Sequence, residues 1–177
     1  MKKHLIIIGF MGTGKSTIGK MISQSLRLEY LDTDEIIQRD RNCSIPEIFE
    51  KYGELTFRNL ETGVMEQTVQ NTHPSIITTG GGIVLRSENR VAMSKYGWVF
   101  ALHAHPKEII RRLQEDTSRP LLQGGSLEER VLHLYEERKR LYQFADYHID
   151  TDNQTEQQVA NQIKDIWFNL IKSGDAK

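Results

Sequence analysis

The segment GFMGTGKS, residues 9–16, has the residue types and the spacing of a phosphate-binding loop. Its glycines allow backbone N–H groups to turn inward around phosphate oxygens, and the N-terminus of a following helix favours negative charge. In the pattern G-x-x-x-x-G-K-[ST], Lys15 reaches the β- and γ-phosphates and the Ser16 hydroxyl binds Mg²⁺. An apolar run at residues 5–8 precedes the loop and helix-forming residues follow it. The segment therefore predicts a site for a nucleoside triphosphate.

Two carboxylates that could serve this site, Asp32 and Asp34, follow the second predicted strand. The third apolar segment, residues 75–79, ends without the acidic residue that motor ATPases and switches place there. Mg²⁺ needs further oxygen ligands, so we expect Asp32 to bind the metal together with Ser16. Asp34 can then accept a proton from the acceptor hydroxyl. Taken alone, the acidic run could equally be a charged helix N-terminus; the neighbouring phosphate loop favours the catalytic interpretation.

Three arginines narrow the class of enzyme. Arg119 lies in a polar segment with Pro120 and a Gly-Gly pair, which is typical of a mobile loop that closes over a phosphate being transferred. Arg58 and Arg138 lie on predicted helices. If their side chains point into a pocket, the two guanidinium groups could bind a carboxylate of the acceptor. The alternative is that they lie on a solvated helix face or form salt bridges. No N/T-K-x-D motif for guanine is present. The pattern favours a small-molecule kinase over a switch or a motor.

Strands that alternate with helices must position these residues. Strands are predicted at residues 5–9, 29–32, 75–79, 98–104 and 147–150. Helices are predicted at 15–28, 45–52, about 54–68, 106–113, 127 to about 144, and 156 to about 170, with capping boxes at Ser44/Glu47, Ser126/Glu129 and Thr155/Gln158 and a break at Gly53. This order predicts an α/β fold in three layers, α/β/α, with a parallel sheet. Ligands of such folds bind at the carboxyl ends of the strands, where the residues described above fall.

Composition limits the remaining possibilities. The 177 residues suit one domain, and a net charge of −1 gives no support for nucleic acid or a membrane as partner. No signal peptide is evident, and the single cysteine, Cys43, excludes an internal disulfide. We therefore expect a cytoplasmic protein, and a monomer.

At this level of detail the chain resembles the shikimate kinase family. The motifs that carry the resemblance occur in order over about residues 4–165: GFMGTGKSTIGK, LDTDEII, IPEIFEKYGELTFRNLE, TTGGGIVL, SRPLL and ERKRLYQFADYHIDT. The resemblance implies phosphorylation of the 3-hydroxyl of shikimate with ATP and Mg²⁺, on the route to chorismate and the aromatic amino acids. It also implies a P-loop kinase fold with a five-stranded parallel sheet in the order 2-3-1-4-5.

The resemblance also implies roles for particular residues. Asp34 is similar to the residue that binds the shikimate hydroxyls and serves as candidate base. Arg58 and Arg138 resemble the two arginines that bind the shikimate carboxylate, with Arg140 as a second possible register for the latter. Gly80, Gly81 and Gly82 resemble the triplet whose backbone approaches the substrate and the γ-phosphate. Phe49 and Phe57 resemble apolar walls of the acceptor pocket, although core packing explains them nearly as well.

The resemblance also implies which residues bind the nucleotide. Lys15 and Arg119, the latter in the R-P-L-L motif, resemble catalytic residues, and Arg112 resembles an arginine that stacks on adenine. Residues 33–61 would form the acceptor-binding subdomain and residues 112–125 the lid. The implied nucleotide-binding residues are Gly12, Thr13, Gly14, Lys15, Ser16, Thr17, Arg112, Arg119, Asn153, Gln154 and Thr155.

Several alternatives stay open at this point. The acceptor could be another small molecule, such as gluconate or a nucleotide, or the chain could be a regulatory module that binds nucleotide without transferring phosphate. His103 and His105 alternate, which could place two imidazoles on one face of a strand as metal ligands. No third ligand is evident, so a structural role is expected for both, and Cys43 is expected to be a free thiol rather than a nucleophile.

Overall fold

A parallel sheet of five strands forms the centre of the computed structural model, which describes residues 2–114 and 126–174. The strands are β1 (His4–Gly9), β2 (Glu29–Asp32), β3 (Ser75–Thr78), β4 (Gly97–His103) and β5 (Tyr147–Asp150). They lie in the order β2-β3-β1-β4-β5, and every neighbouring pair is parallel. All five carboxyl ends therefore meet at one edge of the sheet.

Helices connect the strands and cover both faces of the sheet. They are α1 (Lys15–Leu26), α2 (Thr33–Arg41), α3 (Ile45–Val69), α4 (Ser87–Tyr96), α5 (Pro106–Leu113), α6 (Leu127–Arg138) and α7 (Glu156–Ser173). Short 3₁₀ turns follow at Ile83–Leu85 and Lys139–Tyr142. In the part of the chain that the structure describes, no helix is long and apolar enough to cross a membrane.

The core has two layers because side chains alternate along each strand. On β1, Ile6 and Ile8 pack with side chains of α3, α4, α5 and α6, whereas Leu5 and Ile7 pack with those of α1 and α7. All four side chains are completely buried. A smaller cluster around Ile37, Ile48, Phe57 and Val64 joins α2 to α3 and thereby fixes the segment that carries Arg58.

The predicted fold class and strand order are confirmed, and each predicted strand end lies within one residue of the observed one. Capping boxes form at Ser44/Glu47 and at Thr155/Gln158, as predicted. The helical segment α3 breaks at Gly53, whose φ of 77° is not helical.

Three local predictions are wrong. The capping box at Ser126 does not form, because the Ser126 side chain makes no capping hydrogen bond although it stands at the N-cap of α6. α6 ends at Arg138 instead of near residue 144, and the chain tightens into a 3₁₀ turn that carries Tyr142 towards the sheet. α1 ends at Leu26 because Arg27 adopts a left-handed conformation, with a φ of 56°.

Candidate active site

The phosphate loop connects β1 to α1 at the carboxyl edge of the sheet. Gly12 and Gly14 have φ values of 75° and 87°, which non-glycine residues rarely adopt, and Gly14 is the N-cap of α1. The Thr13 hydroxyl and the Lys15 ammonium both donate to the carbonyl of Phe10, at 2.7 and 2.9 Å. The buried lysine is thus held inside the loop. Ser16 and Thr17 are exposed on the first turn of the helix.

Asp32 stands at the centre of a dense hydrogen-bond network. It is the N-cap of α2, and its Oδ1 accepts from the backbone N–H groups of Asp34 and Glu35 at 3.0 and 3.2 Å. Its Oδ2 accepts from the hydroxyls of Ser16 and Thr78 at 3.0 and 2.8 Å. Thr78 is the register partner of Asp32 on β3, the strand that lacks the usual acidic residue. A carboxylate from β2 therefore occupies the place expected for an acid on β3.

The Ser16–Asp32 pair has the chemistry that Mg²⁺ requires. Both side chains offer oxygen, the donor type that Mg²⁺ prefers, and they lie beside the phosphate loop. Among residues 2–114 and 126–174, no group of three or more His, Cys, Asp or Glu side chains could hold a metal without further ligands. These two residues thus fit a metal that arrives with, and is completed by, the phosphates of a nucleotide.

A cavity of about 420 Å³ opens next to the phosphate loop, between α2, α3 and the glycine triplet. It brings together side chains from five separate segments of the chain. Its lining includes Lys15, Ser16, Asp32, Asp34, Phe49, Phe57, Arg58, Gly80, Gly81, Gly82 and Arg138. Each residue predicted for the acceptor or the metal therefore faces one common space.

Arg58 is held rigidly on one wall of this cavity. Its guanidinium donates to Glu61 through Nη1 and to Glu54 through Nε and Nη2, the last two at 3.1 and 2.8 Å. The guanidinium carbon lies 5.3 and 6.0 Å from the ring centres of Phe57 and Phe49. Burial alone would lower the pKa of Arg58, but Glu61 and Glu54 outweigh it and the pKa is raised. The cation is thus permanent and its position fixed.

Arg138 reaches the same cavity from the end of α6. It is only 2% exposed, and its Nε has no hydrogen-bond partner within residues 2–114 and 126–174. Burial lowers the pKa of Arg138, and the neighbouring Arg58 cation lowers it further. Two buried guanidinium groups thus share one cavity, an arrangement that an anion would stabilise.

The glycine triplet brings the backbone close to these groups. A Cβ atom at Gly80 would lie 2.7 Å from Oδ1 of Asp34, and one at Gly82 would lie 2.3 Å from Nη1 of Arg58. The carbonyl of Gly81 accepts from the Tyr142 hydroxyl at 2.7 Å, which ties the triplet to the turn after α6. Side chains at these positions would fill the cavity or displace its charged groups.

A second cavity, of about 740 Å³, lies between α5 and the loop after β5. Asn153 and Gln154 line it together with Arg112, whose Nη1 donates to the carbonyl of Gly12 at 3.2 Å. Its Nε donates to Glu108 at 2.8 Å. Thr155 does not line this cavity; its hydroxyl caps α7. Arg112 thus connects this cavity to the phosphate loop.

Some predicted residues lie elsewhere. Arg119 and residues 115–125 of the predicted lid lie outside the described residues. His105 is not on a strand with His103; it follows β4 and caps α5, so the two imidazoles do not form a metal pair. His103 instead pairs with His148 on β5, with 2.8 Å between its Nε2 and Nδ1 of His148.

Sequence reasoning missed the partners of the predicted residues. Glu61, only 1% exposed, pairs with Arg58, and burial raises the pKa of its carboxyl group. The spacing of Glu54 and Glu61, four residues before and three after Arg58, is the signal that could have revealed them. Tyr30 was missed as well, although it lies two residues before Asp32 and hence on the same face of β2.

Comparison with known proteins agrees with this geometry. Residues 11–167 match the family model described as shikimate kinase. A shikimate kinase of Thermodesulfovibrio yellowstonii is 41% identical over 161 residues, covering 91% of this chain and 92% of that protein. A shikimate kinase of Bacillus cereus is 42% identical over 163 residues, covering 92% and 97%. A solved structure of shikimate kinase from Acinetobacter baumannii in complex with shikimate has a TM-score of 0.89 and 32% identity, covering 100% of this chain and 97% of that one.

The family match spans most of the chain, and the relatives align over nearly their whole length. The phosphate loop, the Ser16–Asp32 pair and the paired arginines stand in one cavity system at the carboxyl edge of the sheet. The chain therefore belongs to the shikimate kinase family.

Proposed function

We propose that this chain transfers the γ-phosphate of ATP to the 3-hydroxyl of shikimate through the residues of the two cavities. ATP-dependent phosphorylation of shikimate is the activity of its family, and membership makes the chain a shikimate kinase. We propose in addition that the 3-hydroxyl is the one phosphorylated, that Mg²⁺ takes part, and that each residue has the role described below.

The observation that carries the proposal is the pair of buried guanidinium groups in the acceptor cavity. Arg58 and Arg138 are 7% and 2% exposed, and neither cation can be hydrated as it would be in water. A carboxylate accepts two parallel N–H bonds from a guanidinium. It would supply the charge that Arg138 needs, and it would accept from the N–H groups of Arg58 that Glu54 and Glu61 leave unused. The shikimate carboxylate fits this requirement, and the Phe49 and Phe57 rings offer an apolar surface beside it.

Asp34 is the proposed proton acceptor. It lies in the first turn of α2, where the hydrogen bond from its N–H to Asp32 fixes its backbone, and its carboxylate lines the acceptor cavity. As the acceptor oxygen forms its bond to the γ-phosphorus, the bond from that phosphorus to the β–γ bridging oxygen breaks. ADP leaves with the electron pair, and the hydroxyl proton passes to Asp34.

The phosphate loop positions the donor. Its amides would surround the β-phosphate, and Lys15 would exchange its bond to the Phe10 carbonyl for the transferring phosphate. Ser16 and Asp32 would hold Mg²⁺, which when bound neutralises charge on the β- and γ-phosphates. Both side chains are already together, so little rearrangement of the protein is needed.

Other parts of the proposal concern the nucleotide and the setting. Arg112, Asn153 and Gln154 line the cavity proposed for adenine, while Thr155 supports it by capping α7. Arg119 is proposed to close over the phosphates from the lid, residues 112–125, and residues 33–61 to act as the acceptor-binding subdomain. We also propose a monomer that acts in the cytoplasm.

Formation of ADP by purified protein with ATP, Mg²⁺ and shikimate tests the activity. Gluconate and nucleoside monophosphates, offered at equal concentration, test the acceptor. We expect shikimate to be the only one of these acceptors that raises ADP formation above the acceptor-free blank. Faster turnover of another acceptor, or nucleotide binding without turnover of any, would contradict the proposal. NMR of the product identifies the phosphorylated hydroxyl.

Arg58→Ala tests the role of the arginine pair, with Arg39→Ala on the exposed surface of α2 as the matched control. Loss of a charge-assisted bond in a buried cavity is expected to raise the KM for shikimate by about tenfold or more. Affinity for ADP should stay within about twofold, since Arg58 does not line the nucleotide cavity. A collapse of ADP affinity with little change for shikimate would show that Arg58 does not bind the acceptor.

A further inference from the structure

A phenol lies against the Ser16–Asp32 pair and has no place in the mechanism so far. The Tyr30 hydroxyl is 3.1 Å from Oδ2 of Asp32 and 2.8 Å from Oγ1 of Thr78. Thr78 itself donates to Oδ2 of Asp32 at 2.8 Å, and Ser16 donates to the same oxygen at 3.0 Å. Three hydroxyls from three elements therefore surround one carboxylate oxygen.

The register of the sheet makes this arrangement specific. Tyr30 and Asp32 are two residues apart on β2 and face the same side, and Thr78 is the partner of Asp32 on β3. The Tyr30 ring fits beneath α1 because Gly19 has no side chain: a Cβ there would lie 3.0 Å from Cε2 of Tyr30. The ring is thus placed by packing, and its hydroxyl lies within hydrogen-bond distance of Asp32 and Thr78.

The hydrogen-bond donors and acceptors around Oδ2 of Asp32 show what the Tyr30 hydroxyl can do. An ionised carboxylate only accepts hydrogen bonds, whereas a hydroxyl has one proton to donate and two lone pairs. Ser16 gives its proton to Asp32, so its lone pairs remain available to a cation. The position of Oδ2 therefore decides where those lone pairs point. The Tyr30 hydroxyl lies within hydrogen-bond distance of Oδ2 of Asp32 and of Oγ1 of Thr78, so its single proton is donated to one of these two oxygens.

We propose that Tyr30 is a positioning residue for the metal site: together with Thr78 it fixes Oδ2 of Asp32, and thereby orients the Ser16 hydroxyl towards Mg²⁺. This inference rests on the proposed role of Ser16 and Asp32. Hydroxyls that hydrogen-bond one another and a carboxylate strengthen each other in a buried setting. Groups that orient the ligands of a metal typically change its affinity by 10–100-fold when they are removed.

Tyr30→Phe tests the inference because it removes only the hydroxyl and leaves the ring that packs beside Gly19. Binding of Mn²⁺, used as the probe for Mg²⁺, is measured by electron paramagnetic resonance in the presence of ADP. The expected result is a Kd for Mn²⁺ about tenfold higher than in the wild-type protein, the low end of the range because Thr78 remains. The Mg²⁺ concentration for half-maximal activity should rise in parallel, while the KM for shikimate changes little.

Tyr147→Phe is the matched control, since this ring packs on Phe100 at the far edge of the sheet and should leave the Kd for Mn²⁺ unchanged. Thermal unfolding without ligands checks that both variants fold equally well. A Kd for Mn²⁺ in Tyr30→Phe within twofold of wild type would overturn the inference. If the wild-type protein bound Mn²⁺ no better with ADP than without it, the metal site itself would be wrong. The two failures are therefore distinguishable.

Discussion

Replacement of Gly82 by alanine tests directly how the acceptor cavity holds Arg58. Gly82 has a φ of −98° and a ψ of −3°, so an alanine can adopt its backbone conformation without strain. The added methyl group would nevertheless lie 2.3 Å from Nη1 and 2.7 Å from Cζ of Arg58. Ordinary contact begins near 3.4 Å, so the guanidinium must move by about 1 Å.

That displacement is costly because two carboxylates hold the guanidinium in place. Glu54 and Glu61 both accept its hydrogen bonds, and the group is buried with its ring neighbours. A misplacement of about 1 Å in a substrate-positioning group can reduce a rate about 100-fold. We therefore expect kcat/KM for shikimate to fall about 100-fold in Gly82→Ala, which corresponds to about 2.7 kcal/mol of transition-state binding. Most of the loss should appear in the KM for shikimate.

The assay is steady-state formation of ADP at varied shikimate and saturating ATP, with ADP affinity measured separately by calorimetry. Gly63→Ala is the matched control, because a Cβ at Gly63 meets no atom within 4 Å. Its kinetics should equal those of the wild type. The reasoning would be refuted by a folded Gly82→Ala variant whose kcat/KM for shikimate stays within twofold of wild type. Such a result would mean that the pairs with Glu54 and Glu61 do not fix Arg58.

Two further predictions concern stability. Burial lowers the pKa of His4, whose Nε2 lies 3.1 Å from the carbonyl of Val69, so the folded state favours the neutral ring. The contribution of His4 to the free energy of unfolding should be complete above the unfolded pKa of about 6.5 and be lost as the pH falls through the lowered folded pKa. The melting temperature of His4→Gln should therefore depend less on pH between pH 7 and 5 than that of the wild type. An equal pH dependence of the two melting temperatures would contradict this. In Gly19→Ala the new methyl group would lie 2.5 Å from Cγ2 of Thr78. Urea denaturation should therefore show a free energy of unfolding about 1–3 kcal/mol lower than that of the wild type. An unchanged denaturation midpoint would show that α1 can move away from β3.

The features that sequence predicted well are those determined by neighbouring residues. The capping boxes at Ser44 and Thr155 form because the second partner of each lies only three positions away. The strand order came with the family resemblance and not from periodicity, which shows only that strands and helices alternate. The same resemblance predicts that Arg58 and Arg138, which are 80 positions apart in the sequence, lie in one cavity.

What could not be predicted depends on burial and on contacts across the sheet. The spacing of Glu61 and Arg58 permits an ion pair on any helix, but only the tertiary structure makes the Glu61 carboxylate 1% exposed. The contact of Tyr30 with Thr78 requires the register of β2 and β3, which no local pattern specifies. Ser126 fails as a capping residue even though its spacing to Glu129 matches the motif. A local pattern permits an interaction; tertiary structure decides whether it forms.

The position of Asp32, the proposed metal ligand, has a consequence for the proposed chemistry of the acceptor. An acid at the end of β3, in the place of Thr78, would be followed by Thr79 and then by the glycine triplet, neither of which offers a carboxylate to accept a proton. Asp32, at the end of β2, instead caps α2, and the N–H of Asp34 donates to its Oδ1 at 3.0 Å. One turn of chain therefore fixes the proposed metal ligand and the proposed proton acceptor relative to each other. Because β2 and β3 are in register at Thr78, this turn still lies beside the phosphate loop. On the proposed roles, the use of β2 would place the metal that binds the donor phosphate and the base for the acceptor hydroxyl on one turn of the chain.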